Sequence, residues 1–266
     1  MRGWWQEISG LVLPVVCPGC GAPGPPLCDV CAARLYGRPP RRARPVPAPD
    51  GLPEVWASAP YADAVREALI AHKERGALGL ARYLGRALAG AVRAVAPGSG
   101  PVSLVPVPSA RRAVRARGHD ATRRLALAAS AELRRGGRQA RVVPLLRQRR
   151  GVLDQSGLTA RQREENMAGA LEAMPAGMRL LSGGRVVLVD DLMTTGASLA
   201  EAARAFRAAV RDEMEDAISG PISGTGRRIR SRTPSGPLAE ACFTRLIPPV
   251  AAVVAARSIS FEINRN

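Results

Sequence analysis

The chain has 266 residues, enough for a full hydrophobic core with small appendages. Its formal charge of +17 invites a nucleic-acid partner, but a single lysine, Lys73, stands among 39 basic residues, a usage that GC-rich coding bias alone produces. Aromatic residues make up 3%, which argues against a base-stacking platform, and no apolar run reaches the roughly 18–20 residues of a membrane span.

The opening stretch, Met1 to Cys17, is a poor secretory signal. Its apolar part is interrupted by Glu7 and Pro14 and lacks a small-residue cleavage site, so the chain reads as cytoplasmic. Trp4, Trp5, Ile8, Leu11 and Val12 would share one face of a short helix that packs on the body of the protein, with membrane contact the weaker alternative. Cys17, Cys20, Cys28 and Cys31 follow as two C-x2-C knuckles, a spacing that lets tetrahedral zinc collect four thiolates. Four sulfurs close the coordination sphere, so this zinc would organise the fold rather than catalyse. Cys242 reads as a bystander.

Residues 1–36 are thus an N-terminal segment with a zinc ribbon. Residues 37–53, rich in proline and arginine, read as a linker without a core of its own. Residues 54–266 read as the globular domain. Within it Val55 to Ala59 is a strand, and Ala62 to Glu74 and Leu78 to Val95 are helices. Lys73 lies at the end of the first helix. It is either an exposed helix-end cation, favoured by the helix dipole, or an ammonium kept because a guanidinium would not serve.

Val102 to Val105 is a buried strand closed by prolines. Arg111, Arg112, Arg115 and Arg117 gather in the loop ahead of Gly118; guanidinium forks there could seat a pyrophosphate or form a solvated basic turn. Asp120 caps a helix running to Arg135. Val142 to Leu146 is another strand, and the polar residues after it, as far as Leu158, read as a mobile lid. Thr159 caps a short helix with Arg161, Arg163 and Asn166.

Val186 to Val189 is an apolar run of the kind buried on both faces of a parallel sheet. Asp190 and Asp191 end it. The turn Thr194, Thr195, Gly196, Ala197, Ser198 leads into a helix with Leu199, Ala202, Ala203 and Phe206 on one face. Backbone N–H groups and hydroxyls at a helix N-terminus form a phosphate cradle, and Gly196 allows close approach. The two carboxylates would repel phosphate; they suit vicinal hydroxyls or a divalent cation, so the ligand that fits both halves is a ribose 5-phosphate. Arg211 to Pro248, acidic at first and then rich in Gly, Ser, Pro and Arg, reads as a disordered insertion or an anomaly of the reading frame. Val250 to Ala256 is the next strand.

The stretch from Val186 to Ser198 resembles the phosphoribosyl pyrophosphate (PRPP) motif of type I phosphoribosyltransferases. With V-P-V-P and R-x-R-G upstream, Q-S-G-L-T-x-x-Q-R-x-x-N between, and the four-cysteine ribbon in front, the chain resembles the ComF family of competence-associated phosphoribosyltransferase-like proteins, over about Leu13 to Ala209 and the last residues. The resemblance implies an α/β fold, a parallel sheet flanked by helices with a small N-terminal zinc ribbon. It implies that Asp190 and Asp191 hold the ribose hydroxyls and Thr194 to Ser198 the 5′-phosphate. Arg115, Arg117 and Lys73 are then the pyrophosphate candidates, with Mg²⁺ accompanying PRPP. Purine-salvage relatives have an acid where this chain has Thr194, so a base-activated purine acceptor is disfavoured, and the acceptor is open. The alternative is a non-catalytic adaptor or sensor with DNA or a DNA-processing protein as partner.

Overall fold

The computed structural model describes residues 16–149, 159–181, 183–218 and 248–261. A six-stranded sheet organises them, in the order β1 (Arg41–Arg42), β2 (Val55–Pro60), β8 (Val250–Ala256), β7 (Arg185–Met193), β3 (Val102–Pro106), β4 (Ala140–Val142). All neighbours are parallel except β1, which runs antiparallel to β2. A separate antiparallel pair joins β5 (Leu146–Gln148) to β6 (Leu171–Ala173). The expected α/β class with a mostly parallel sheet is what the chain forms.

The central strands are aliphatic throughout because both faces of the sheet are covered. Val187 and Val189 point into one core and Val186 and Leu188 into the other, and β8 divides in the same way. The first core is closed by α1 (Asp29–Tyr36), α2 (Asp63–Glu74), α3 (Ala81–Val95, entered through a 3-10 turn at Leu78–Leu80) and α5 (Ala121–Arg135). Small residues let α3 and α5 cross closely: a Cβ on Gly85 would collide with Ala128. Opposite lie α8 (Ala197–Ile218), the β5–β6 pair and α7 (Pro175–Leu180), with Leu199, Ala202, Ala203 and Phe206 of α8 buried as their spacing predicts. A short helix, α4 (Arg111–Arg117), follows β3, and α6 (Ala160–Met167) precedes β6. No helix among the described residues is long and apolar enough to cross a membrane.

Several boundaries differ from the sequence reading. The four-cysteine segment does not stand apart, because Cys17, Leu27, Cys31, Ala32 and Leu35 belong to the first core. The segment read as a linker supplies the edge strand β1, and its Ala43 is buried. Two charged side chains on that edge suit it, since they discourage further strand pairing. The stretch Val142 to Leu146 is divided between two sheets at Pro144, which has no N–H to continue a ladder. The arginine loop is largely helical, as α4. Finally, α8 continues through Ile218 and takes the first residues assigned to the insertion. The remainder of that insertion, Cys242, the N-terminal apolar residues and most of the lid loop lie outside the described residues.

Candidate functional site

Strand order places the site. Between β3 and β7 the chain turns in opposite directions: β3 leads through α5 to β4 on one side, and β7 through α8 to β8 on the other. Such a divergence opens a crevice beyond the carboxyl ends of the strands, where open α/β sheets bind ligands. Asp190 and Asp191 lie near the carboxyl end of β7, and α4 follows β3 on the other lip.

A small cleft there is lined by Asp190 and by the run from Leu192 through the turn to Leu199. Gly196 has a left-handed backbone, φ +82°, and a Cβ on it would come within 2.9 Å of Leu52 and 3.4 Å of Pro45. The Ala197 N–H meets the Thr195 hydroxyl at 3.5 Å, and the Gly196 carbonyl accepts from Ala200 at 2.9 Å as α8 begins. Thr194 to Ser198 therefore wrap one point at the positive end of a 22-residue helix.

The two acids are not equivalent. Asp191 is 5% exposed, and its Oδ2 accepts from Lys73 Nζ at 2.7 Å. Burial alone would raise its pKa, but the Lys73 charge and hydrogen bond outweigh burial and hold the carboxyl below its ordinary range. Asp190 lines the cleft without a cation of its own. Its Oδ1 accepts from the Asp191 N–H at 2.8 Å and more weakly from Thr122 at 3.5 Å. Burial, then the Asp191 charge, push its pKa well above the ordinary range. An ammonium against Asp191 stands where a divalent cation would have to come, which favours the diol reading of this pair over direct metal binding.

Lys73 is thus not an exposed helix-end cation: it pairs with Asp191, and Arg117 lies close enough for its charge to oppose that of Lys73. The Asp191 charge raises its pKa to about 12. Its neighbours are tied to the turn after α4. Arg117 Nε pairs with Glu74 at 2.8 Å, and a ring nitrogen of His119 faces the His72 carbonyl at 3.2 Å while the other faces that of Arg117 at 3.1 Å. Burial, then the nearby His119, lower the His72 pKa to about 4. Arg117 is mostly covered and one of its nitrogens is buried without a hydrogen-bond partner, whereas Arg115 is exposed. Asp120 caps α5 as expected, accepting from the Arg123 N–H at 3.0 Å and from Ser109 at 3.2 Å. The sequence reading missed both histidines and Thr122. A signal was present: the chain has two histidines, one beside Lys73 and one directly after R-x-R-G.

Away from the crevice, the sulfurs of Cys17, Cys20, Cys28 and Cys31 lie within 4.8 Å of one another, and all four are free thiols positioned to bind a metal ion. Cys20 and Cys28 are 3.6 Å apart, close to the roughly 3.8 Å edge of a tetrahedron with 2.3 Å metal–sulfur bonds. Burial raises Cys17, but backbone N–H groups of Cys28, Gly19 and Cys20 overcome it and bring the thiol to about 6. Burial and the neighbouring sulfurs raise Cys31. Four thiolates can share this space only around a cation.

No family model matches the chain, and no curated protein sequence matches it.

Proposed function

We propose that the chain is a ComF-type phosphoribosyltransferase-like protein that binds PRPP in the crevice between β3 and β7. The observation that carries this reading is the pairing of an acid pair with an amide-lined turn at the N-terminus of α8, both at the switch point of the sheet. Asp190 and Asp191 accept from the ribose hydroxyls, and Thr194 to Ser198 donate to the 5′-phosphate. Arg117, with a buried donor lacking a partner, and Arg115, both on α4 beyond β3, are the pyrophosphate candidates. Mg²⁺, arriving on the ligand, would supply further positive charge for the departing pyrophosphate. Breaking the bond from ribose C1 to pyrophosphate leaves an oxocarbenium-like centre that a nitrogen nucleophile attacks. The chain's part is to fix the sugar and both phosphate ends. Thr194 cannot serve as a general base, which disfavours a base-activated purine acceptor. The metal at the four cysteines is zinc in a structural role, as a closed sulfur set implies.

The test is thermal melting with and without PRPP and Mg²⁺, on wild type, Asp190→Asn and Asp191→Asn. Each substitution removes a carboxyl acceptor from the ribose side, worth about 1.5–3 kcal/mol of ligand affinity at the anionic Asp191, so the ligand-induced shift should fall in both and furthest in Asp191→Asn. Without ligand the two should diverge. A carboxyl whose folded-state pKa is raised contributes stability below its unfolded value and loses it as pH rises through the raised value. At neutral pH Asp190 is therefore a cost, and Asp190→Asn should melt higher; Asp191→Asn breaks the pair with Lys73 and should melt lower. PRPP-induced shifts equal to wild type would refute the assignment. PRPP binding without pyrophosphate release, across a panel of nucleobases and amines, would mark a sensor. Salt-sensitive DNA binding indifferent to both substitutions would mark the adaptor.

A further inference from the structure

The phosphoribosyl reading treats Asp190 and Asp191 as a matched pair and places Lys73 among the pyrophosphate ligands. The geometry points to a different division of labour. We propose that Lys73 is a positioning residue: its ammonium takes Oδ2 of Asp191, keeps that carboxylate an anion and fixes it in place, leaving Oδ1 to accept from the ligand. Asp191 is then half committed to the fold, and Asp190 is the acid that faces the cleft. This proposal rests on the reading of the crevice as a phosphoribosyl site.

Three observations carry it. First, the ion pair is short, 2.7 Å, and couples the end of α2 to the carboxyl end of β7 across 118 residues of sequence. The Asp191 side chain is 7% exposed and that of Lys73 33%, so the carboxylate half of the pair is shielded from competition by water. Second, Lys73 is clamped from both sides. The carbonyl of the preceding His72 is held by His119, and the carboxylate of the following Glu74 is held by Arg117. An ammonium destined to swing onto a phosphate would not need its neighbours tied to a separate turn. Third, the residues on either side of Asp191, Asp190 and Leu192, both line the cleft, so a carboxylate held at Oδ2 is kept beside it. A basic position filled by lysine in an arginine-dominated chain fits the same role: a compact ammonium takes one oxygen, whereas a guanidinium fork tends to take both.

The charged and titratable groups around the pair are Asp190 on β7, His72 and Glu74 on α2, Arg117 closing α4, His119 in the following turn and Arg124 on α5. Burial leaves His72 uncharged at neutral pH, Arg117 is already paired with Glu74, and Lys73 contacts Asp191 directly. Removing Lys73 therefore leaves Asp191 buried beside Asp190 without its direct counter-ion, and two adjacent buried acids do not both ionise near neutrality.

The experiment is calorimetric titration of Mg²⁺–PRPP into wild type, Lys73→Met, Lys73→Gln and Lys73→Arg between about pH 5.5 and pH 8, variants being compared at each pH so that the ligand's own titration cancels. Lys73→Met and Lys73→Gln should bind roughly tenfold more weakly than wild type near pH 8, and the deficit should widen to roughly a hundredfold near pH 5.5 as Asp191 takes up a proton. Lys73→Arg keeps the charge and should show a deficit that does not widen. A deficit of constant size in the uncharged variants would overturn the proposal and put Lys73 on the ligand itself. Wild-type affinity in them would reduce Lys73 to a strut. The ¹³C resonance of the Asp191 carboxyl in ligand-free protein decides independently of PRPP: it should titrate below the ordinary aspartate range in wild type and well above it in Lys73→Met. If wild type ignores PRPP while Asp191 titrates in this way, the phosphoribosyl reading fails and the pairing role stands. An Asp191 titration unmoved by loss of Lys73 sinks the role itself.

Discussion

Gly196 shows how much one residue decides at this site. It turns the chain from β7 into α8 with φ +82°, a conformation that costs an L-residue about 1–2 kcal/mol. A methyl group there would also press on Leu52, 2.9 Å away, and on Pro45. Gly196→Ala should therefore lower the melting temperature and weaken PRPP binding together, because the same turn supplies the amides proposed to face the phosphate. Combining it with Leu52→Ala removes the collision but not the backbone strain, so stability should recover in part while binding stays weak. Full PRPP affinity in Gly196→Ala would show that the turn does not hold the phosphate. Some of this was legible beforehand: Asp190, Asp191 and Gly196 announce themselves because each is anomalous beside an apolar strand. The inequality of the acids was not legible, since it depends on Lys73, which the chain brings in from far away in sequence. Nor did proline and leucine in a proline-rich stretch advertise that they brace Gly196.

At the scale of elements, legibility followed locality. The strands β3, β7 and β8 were readable as uninterrupted aliphatic runs, and α5 from the Asp120 cap, because the forces that set them act between near neighbours. The edge strand β1 was not, because two arginines become a strand only when β2 offers a free edge. The link between α8 and the β5–β6 pair was hidden in the same way. Glu201 and Arg204 look like a solvated i, i+3 ion pair, yet Glu201 is 5% exposed and accepts from the Leu171 N–H at 2.9 Å as well as from Arg204 Nε at 2.7 Å. Arg204 also donates to the Leu171 carbonyl at 3.0 Å. These bonds fasten β6 to the helix that begins at the Thr194–Ser198 turn. Glu201→Ala would strand a buried N–H, a loss of about 1–3 kcal/mol. Hydrogen exchange should register it first at Leu171 and its β5 neighbours. Unchanged protection of the Leu171 amide would show that α8 and β6 are held by apolar packing alone.

Across the whole molecule part of the net charge of +17 is engaged by the fold's own carbonyls. Arg138, 8% exposed, donates to the carbonyls of Ala96 and Gly100, Arg134 to that of Ala140, and Arg207 to that of Gly51. Arginines that tie loops to helices in this way need no nucleic acid to account for them. The four-cysteine segment is also integral to the first core rather than a unit apart. Leu27 and Leu35 are fully buried in the same core as Leu84, Leu88 and Val189, and Arg86 of α3 stacks over Tyr36 of α1 at 4.5 Å. Gly19, in the first knuckle, sits where a Cβ would lie 2.7 Å from Ala64 of α2. A metal that orders these knuckles therefore stabilises the shared core, and its binding free energy becomes folding free energy. Stripping the metal with a chelator, or replacing Cys28 with Ser, should lower the melting temperature of the whole chain in one cooperative transition. It should also weaken PRPP binding indirectly, because α2, which the first knuckle touches at Ala64, carries Lys73 at its far end. Calorimetry with and without chelator is the measurement. A small early transition beside an unmoved main one would mean that the cysteine segment melts as a unit of its own, and that the shared core does not depend on it.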